Sequence, residues 1–162
     1  MLNITVQKTA APKQKPADET KLGFGKLFTD HMFLMDYAAG EGWHDARIVP
    51  YGPLPMDPAT AVFHYAQEIF EGMKAYRTAE GRVQLFRPEC NAARFNDSAD
   101  RLGMPPIPTG DFVQAVKALV DVERDWVPHS DGASLYIRPF CIATDVSLGV
   151  HASKNYLFAI IC

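Results

Sequence analysis

Hydrophobic and polar positions alternate with different periods along the chain, and the periods predict its elements. Residues 134–144 alternate, with Leu135 and Ile137 on one side and Tyr136 on the other, as in a half-buried strand. Short apolar runs at 31–37 and 156–162 predict two buried strands. These three segments are expected to be strands of one sheet.

Helices are predicted where apolar residues recur at helical spacing or where capping residues stand. The apolar stripe within residues 110–126 predicts a helix packed on the core. Pro88 is placed to open another helix over 88–102, and Asp57 followed by Pro58 predicts a short helix to Gln67. Between them, two strand-like segments flank Gly81, which predicts a β-hairpin.

Segment composition suggests where the folded body starts. Residues 1–21, rich in Lys, Ala, Pro and Thr, lack periodicity and are expected to form a flexible, extended arm. Residues 22–162 are expected to form one domain. Residues 38–58 contain turn-forming residues every few positions and predict irregular structure.

The composition is that of an ordinary globular domain. Of 162 residues, 48% are hydrophobic and 22% charged, with a formal net charge of −3, which argues against disorder and membrane spans. Charges of both signs are interspersed, so a nucleic acid partner is not expected. Three distant cysteines and the absence of an apolar leader favour reduced thiols in a cytoplasmic protein.

A few polar residues could carry chemistry, but spacing alone leaves two interpretations for each. Tyr136 and Arg138 share one strand face, where they could anchor a carboxylate or lie on a solvated surface. Arg94 could bind a phosphate or form an ion pair on its helix. The five histidines are scattered, so no metal site is expected. Aromatic residues near element ends could belong to the core or line an apolar pocket, namely Phe24, Tyr65 and Phe70.

Five ordered segments resemble those of a known enzyme family. They are FGKLFTDHMF (24–33), HYAQEIFEGMKAYR (64–77), VQLFRPECNAARF (83–95), DWVP (125–128), and SLYIRPF with SLGV (134–140, 147–150). Together they resemble the branched-chain amino acid aminotransferases, which depend on pyridoxal 5′-phosphate (PLP) and have fold-type IV. The resemblance implies the small N-terminal domain of that fold, an α/β, two-layer arrangement with a mixed sheet packed against helices.

The resemblance assigns cofactor and substrate roles to residues that match the family's motifs. Arg94 matches the arginine that binds the cofactor phosphate. Phe24, Phe70 and Tyr136 match residues that line the pocket for the substrate side chain, whose apolar walls favour leucine, isoleucine and valine.

The resemblance also implies a homodimer whose subunits share their pockets. Tyr65, Leu148 and Val150 match residues that reach the pocket of the neighbouring subunit. Arg138 matches an arginine near the substrate carboxylate, tied to the Tyr65 hydroxyl across the interface.

The family's Schiff-base lysine has no counterpart in these 162 residues. In the family it lies in the second domain, beyond the position of Cys162, and Lys74 in the EGMK motif does not serve that role. No catalytic residue is therefore assigned, and the fragment alone is expected to be inactive because transamination needs the lysine as imine partner and as base.

The expected function of the full-length enzyme is amino transfer from leucine, isoleucine or valine to 2-oxoglutarate, giving a branched 2-oxo acid and glutamate. Two alternatives remain open. The chain could be a non-catalytic module for dimerisation or small-anion binding. It could also belong to another fold-type IV enzyme, such as a D-amino acid aminotransferase or an aminodeoxychorismate lyase.

Overall fold

A computed structural model describes all residues, 1–162, and contains three α-helices and eight strands. The helices are α1 (Ala61–Tyr65), α2 (Pro88–Arg101) and α3 (Thr109–Val122). The strands are β1 (Thr5–Val6), β2 (His31–Ala38), β3 (Gly42–Pro50), β4 (Glu68–Phe70), β5 (Met73–Arg77), β6 (Val83–Leu85), β7 (Leu135–Ala143) and β8 (Asn155–Ile161).

All eight strands belong to one mixed sheet. Their order is β1, β3, β2, β8, β7, β5, β6, and β4 pairs with β7 beside β5. Only β1 and β3 run parallel, and the other pairs are antiparallel. The predicted strands at 31–37, 134–144 and 156–162 are confirmed as β2, β7 and β8, and the predicted hairpin at Gly81 is confirmed as β5 and β6.

A cluster of phenylalanine rings joins the two long helices to the sheet. Phe95 of α2 and Phe112 of α3 both lie 5.6 Å from Phe158 of β8, whose ring lies 5.9 Å from Phe33 of β2. All four side chains are buried, so α2 and α3 form a layer on one face of the sheet. The predicted two-layer fold with a mixed sheet against helices is confirmed. None of the helices has the length and apolar character needed to cross a membrane.

Two local predictions were wrong. Residues 42–50 form β3 rather than turns, because Ala46 and Ile48 enter the core although Asp45 has a positive φ of 51° and a bulge interrupts the pairing with β2. These irregularities hide the alternation expected of a strand. The short helix begins at Ala61 after Thr60, because the Asp57 carboxylate accepts the Ala59 N–H in a turn instead of capping the helix.

Residues 1–18 contain one short strand and otherwise irregular chain, and residues 19–21 form a 3₁₀ turn. The segment contacts the rest of the protein at several points. β1 adds to the sheet edge beside β3. Farther on, the Thr9 N–H donates to Nε2 of His31 at 2.9 Å, and the Lys13 N–H donates to the Asp30 carboxylate at 2.7 Å. Because Nε2 accepts this bond, the hydrogen on Nδ1 of His31 is donated to the buried carboxylate of Glu123. These polar partners lie far away in the sequence, so the composition of the segment gave no sign of them.

Candidate active site

The register of β4 and β5 on β7 places three predicted site residues on one face of the sheet. Phe70 lies opposite Phe140, and Lys74 lies opposite Tyr136. Opposed residues in an antiparallel pair project to the same side, and so do residues two apart on one strand. Phe70, Tyr136 and Arg138 therefore share a face. The alternation in β7 predicts this for Tyr136 and Arg138, and the pairing with β4 adds Phe70.

These side chains contact one another directly. The Arg138 guanidinium lies 4.3 Å from the centre of the Phe70 ring, and its Nη2 donates to the Tyr136 hydroxyl at 2.9 Å. Phe24 meets the Tyr136 ring edge-on at 4.9 Å between centroids. The arginine is thus held by a hydrogen bond and a cation–π contact, among aromatic walls.

A cavity of about 730 Å³ opens beside this cluster, between the segment 15–29 and the loop before β7. Its lining includes Phe24, Tyr136 and Arg138, together with Lys74. Phe70 and Arg94 are not part of this lining. The volume is within the range of small-molecule sites, about 300–1,000 Å³. The lining combines apolar walls with charged groups of both signs, and of these Arg138 suits a carboxylate.

Arg94 lies on α2, which packs against β4, and it pairs with Glu71 at the end of that strand. Its Nε and Nη2 donate to the two carboxylate oxygens of Glu71 at 2.5 and 2.9 Å. Glu71 is buried, whereas the Arg94 side chain is 68% exposed. Burial acts to raise the pKa of Glu71, but hydrogen bonds from Arg94, Asn91 and Gly72 outweigh it and hold that pKa below its ordinary value.

Gly72 connects this ion pair to the aromatic cluster. Its N–H donates to the Glu71 carboxylate at 3.2 Å, and a Cβ at this position would lie 2.4 Å from the Tyr136 hydroxyl oxygen. Only glycine allows so close an approach between the backbone and this side chain. Arg94, Glu71, Gly72, Tyr136 and Arg138 therefore form one continuous series of contacts.

The residues predicted to serve a neighbouring subunit form a separate group. The Tyr65 hydroxyl, at the end of α1, donates to the Leu148 carbonyl at 2.5 Å, and both side chains are exposed. Val150 is 87% exposed in the same loop. None of the three lines the cavity described above. Within this chain Arg138 bonds to Tyr136 rather than to Tyr65, so the bond to Tyr65 of a neighbouring subunit stays a prediction.

Glu71 and Gly72 belong to the site although neither was singled out from the sequence. A signal was present: Glu71 stands between Ile69 and Met73, at a position whose parity directs it into the core. A carboxylate at such a position requires buried partners. Here those partners are Asn91 and Arg94 of α2 and the backbone N–H of Gly72.

No family model matches this chain, but its sequence is similar to those of characterised enzymes. It is 56% identical to the branched-chain-amino-acid transaminase 1 of Bacillus subtilis over 158 residues, which cover 98% of this chain and 44% of that protein. This chain is similar to the branched-chain aminotransferases over nearly all of its own length. It spans less than half the length of this curated relative.

Solved structures of the family have the same fold. The match with the branched-chain aminotransferase of Escherichia coli covers 82% of this chain and 38% of the length of that enzyme's chain, with a TM-score of 0.59 and 22% identity. The enzyme of Thermobaculum terrenum, solved in its PLP form, matches 80% of this chain and 39% of its own, with a TM-score of 0.55 and 21% identity. The fold-type IV resemblance is confirmed, and pyridoxal phosphate is bound in that member of the family.

Proposed function

We propose that this chain forms the small domain of a PLP-dependent aminotransferase that moves the amino group of leucine, isoleucine or valine to 2-oxoglutarate. One observation carries the proposal: the side chains matched to cofactor and substrate roles lie in one series of contacts through Glu71 and Gly72. The identity of 56% with a branched-chain transaminase supports the same activity.

The donor set of Arg94 fits the phosphate of PLP. Two of the five guanidinium N–H groups bind Glu71, while Nη1 donates to no group of the protein and the side chain is largely exposed. An arginine held in this way presents its remaining donors as a fork, the geometry that suits phosphate oxygens. When bound, PLP supplies the electron sink for chemistry at the substrate Cα. The role of this chain is to hold the cofactor at its phosphate end.

The aromatic cluster fits a branched substrate side chain next to a carboxylate. Phe24, Phe70 and Tyr136 offer apolar surface, which favours leucine, isoleucine and valine over polar amino acids. Arg138 is fixed by the Tyr136 hydroxyl and the Phe70 ring, so its charge is oriented before substrate arrives. These contacts support binding of the substrate carboxylate near Arg138.

Tyr65, Leu148 and Val150 are proposed to complete the pocket of a second subunit in a homodimer. They form an exposed apolar group away from the cavity of their own chain, which supports a role in a neighbouring subunit.

Three free cysteines support a cytoplasmic location, where thiols stay reduced.

A trapping experiment tests the proposal on the chain and on the full-length protein. Each is incubated with PLP, reduced with borohydride and digested, and pyridoxyl-lysine is sought by mass spectrometry. We expect a stoichiometric adduct in the full-length protein, at a lysine outside residues 1–162, together with turnover of leucine. A stoichiometric adduct within this chain, with turnover of leucine by the chain alone, would contradict the proposal. If the chain forms a soluble dimer while the full-length protein gives neither an adduct nor turnover of leucine, a non-catalytic module would be favoured.

A further inference from the structure

The Glu71 side chain is only 5% exposed, and its carboxylate accepts hydrogen bonds at both oxygens. Nε of Arg94 binds one oxygen, and Nη2 of Arg94, the Asn91 side-chain amide and the Gly72 N–H bind the other. The donors come from α2 and from the backbone that follows β4. A carboxylate with this many partners in a buried place is fixed in position.

Two of these bonds decide how Arg94 is oriented. Glu71 occupies the side edge of the guanidinium, which is formed by Nε and Nη2. The end edge, formed by Nη1 and the second hydrogen of Nη2, points away from Glu71, because the fork is planar and rigid. The exposed end of Arg94 is therefore held in one direction by a buried partner, whereas the free side chain would rotate about several bonds.

The pair is ionic at neutral pH. The Glu71 carboxylate raises the pKa of Arg94, and the hydrogen bonds to Glu71 keep its own pKa below the ordinary value despite burial. The carboxylate consequently accepts hydrogen bonds only, and the arginine remains a charged donor.

We propose that Glu71 is a positioning residue for cofactor binding: it holds Arg94 so that the end edge of the guanidinium meets the phosphate of PLP. This inference rests on the proposed function, in which Arg94 binds that phosphate. Glu71 acts through Arg94 and does not touch the cofactor.

The inference predicts an effect that depends on the phosphate group. Pyridoxal has the same ring and aldehyde as PLP but lacks the phosphate, so its affinity does not depend on Arg94. A variant that only loosens the fold around Glu71 lowers the affinity for both compounds. A variant that misplaces Arg94 lowers the affinity for PLP alone.

Absorbance titration of the full-length apoprotein with PLP and with pyridoxal tests this difference in the wild type, in three single variants and in the double variant Glu71→Gln/Arg94→Ala. Glu71→Gln removes the charge and one oxygen acceptor. Arg94→Ala removes the phosphate ligand itself. Glu89→Gln is the matched control, because Glu89 is an exposed residue of the same helix without an ion pair.

For Glu71→Gln we expect a loss of PLP affinity of about tenfold, the order seen when a group that orients a metal ligand is removed, with pyridoxal affinity unchanged. Arg94→Ala should lose at least as much, and the double variant should lose no more than Arg94→Ala alone. Glu89→Gln should match the wild type for both compounds.

Failure of the inference and failure of the proposed function give different results. Glu71 is not a positioning residue if Arg94→Ala lowers the affinity for PLP selectively while Glu71→Gln does not. The same conclusion follows if Glu71→Gln lowers the affinities for PLP and pyridoxal equally. If Arg94→Ala itself leaves the ratio of the two affinities unchanged, the phosphate role of Arg94 and the inference both fail. Should Glu71→Gln not fold, Glu71→Asp keeps the charge but is too short for both bonds to Arg94. It should show the same selective loss, and an unchanged ratio would overturn the inference.

Discussion

The Cα of Gly72 lies so close to Tyr136 that a Cβ would stand 2.4 Å from the hydroxyl oxygen and 3.1 Å from the ring carbon that bears it. Since the same hydroxyl accepts hydrogen bonds from Arg138, this close approach fixes the two side chains proposed to meet the substrate. The requirement for glycine here is one of space.

Replacing Gly72 by alanine should therefore destabilise the protein and move Tyr136. The cost is expected to be about 1–3 kcal/mol, as for other insertions into packed sites, measured by urea unfolding. The KM for leucine should rise because Arg138 loses its partner. Gly110→Ala is the control, since nothing lies within 4 Å of a Cβ at that helical position. An unchanged free energy of unfolding and an unchanged KM in Gly72→Ala would refute this account of the contact.

Tyr65→Phe removes the hydroxyl that donates to the Leu148 carbonyl. The bond is exposed, so the loss of stability should be no more than about 1 kcal/mol. Hydrogen exchange should nevertheless speed up at the backbone amides of the loop after β7, which this bond ties to α1. Tyr76→Phe, at an equally exposed tyrosine, should leave that exchange unaltered. Identical exchange in Tyr65→Phe and the wild type would show that the bond does not hold the loop.

The Asp145 carboxylate should make stability depend on pH. Burial acts to raise the pKa of Asp145, but hydrogen bonds from Lys154 and Asn155 outweigh it, so the folded pKa lies below the unfolded value. The stabilisation is then fully present above the unfolded pKa of about 3.9 and is lost as pH falls through the folded pKa.

The variant Asp145→Asn should consequently be less stable than the wild type at pH 7, by about 1–3 kcal/mol. The difference should shrink as the pH falls below about 4, where the carboxyl of the unfolded wild-type chain takes up a proton, and it should be lost once the pH has fallen through the lower folded pKa. Urea unfolding of both proteins between pH 3 and 7 measures this difference. A gap that stays constant over the whole range would be inconsistent with a depressed pKa.

The three cysteines should differ in reactivity. Burial raises the pKa of Cys141 to about 12 and also raises that of Cys162, whereas Cys90 is exposed on α2. Because the thiolate is the nucleophile, brief treatment with iodoacetamide should label Cys90 alone. Peptide mapping reads out the sites, and all three should be labelled in denaturant. Early labelling of Cys141 in the native protein would contradict its buried place in β7.

Strong periodic patterns in the sequence predicted much of the fold. The alternation in β7 and the apolar stripe of α3 depend on local spacing, and both elements are found where they were expected. β3 was missed because a bulge in its pairing with β2 and the positive φ of Asp45 disturb its alternation, and these features depend on the neighbouring strand.

The candidate site was predictable in parts. Tyr136 and Arg138 share a face because they are two residues apart on a strand, which the sequence shows directly. The bonds from Arg94 to Glu71 join residues 23 positions apart in the sequence, and no local rule pairs them. The role of Gly72 depends on how closely β7 approaches, which only the folded chain defines.

Amino transfer by the full-length protein tests the central proposal most directly. The PLP-loaded protein is mixed with leucine, isoleucine, valine or D-alanine, and the conversion of 2-oxoglutarate to glutamate is followed for each donor. The account predicts transfer from the three branched-chain amino acids, none from D-alanine, and a reduced kcat/KM for leucine in Phe70→Ala. Transfer from D-alanine but not from leucine, or no transfer from any donor, would contradict it.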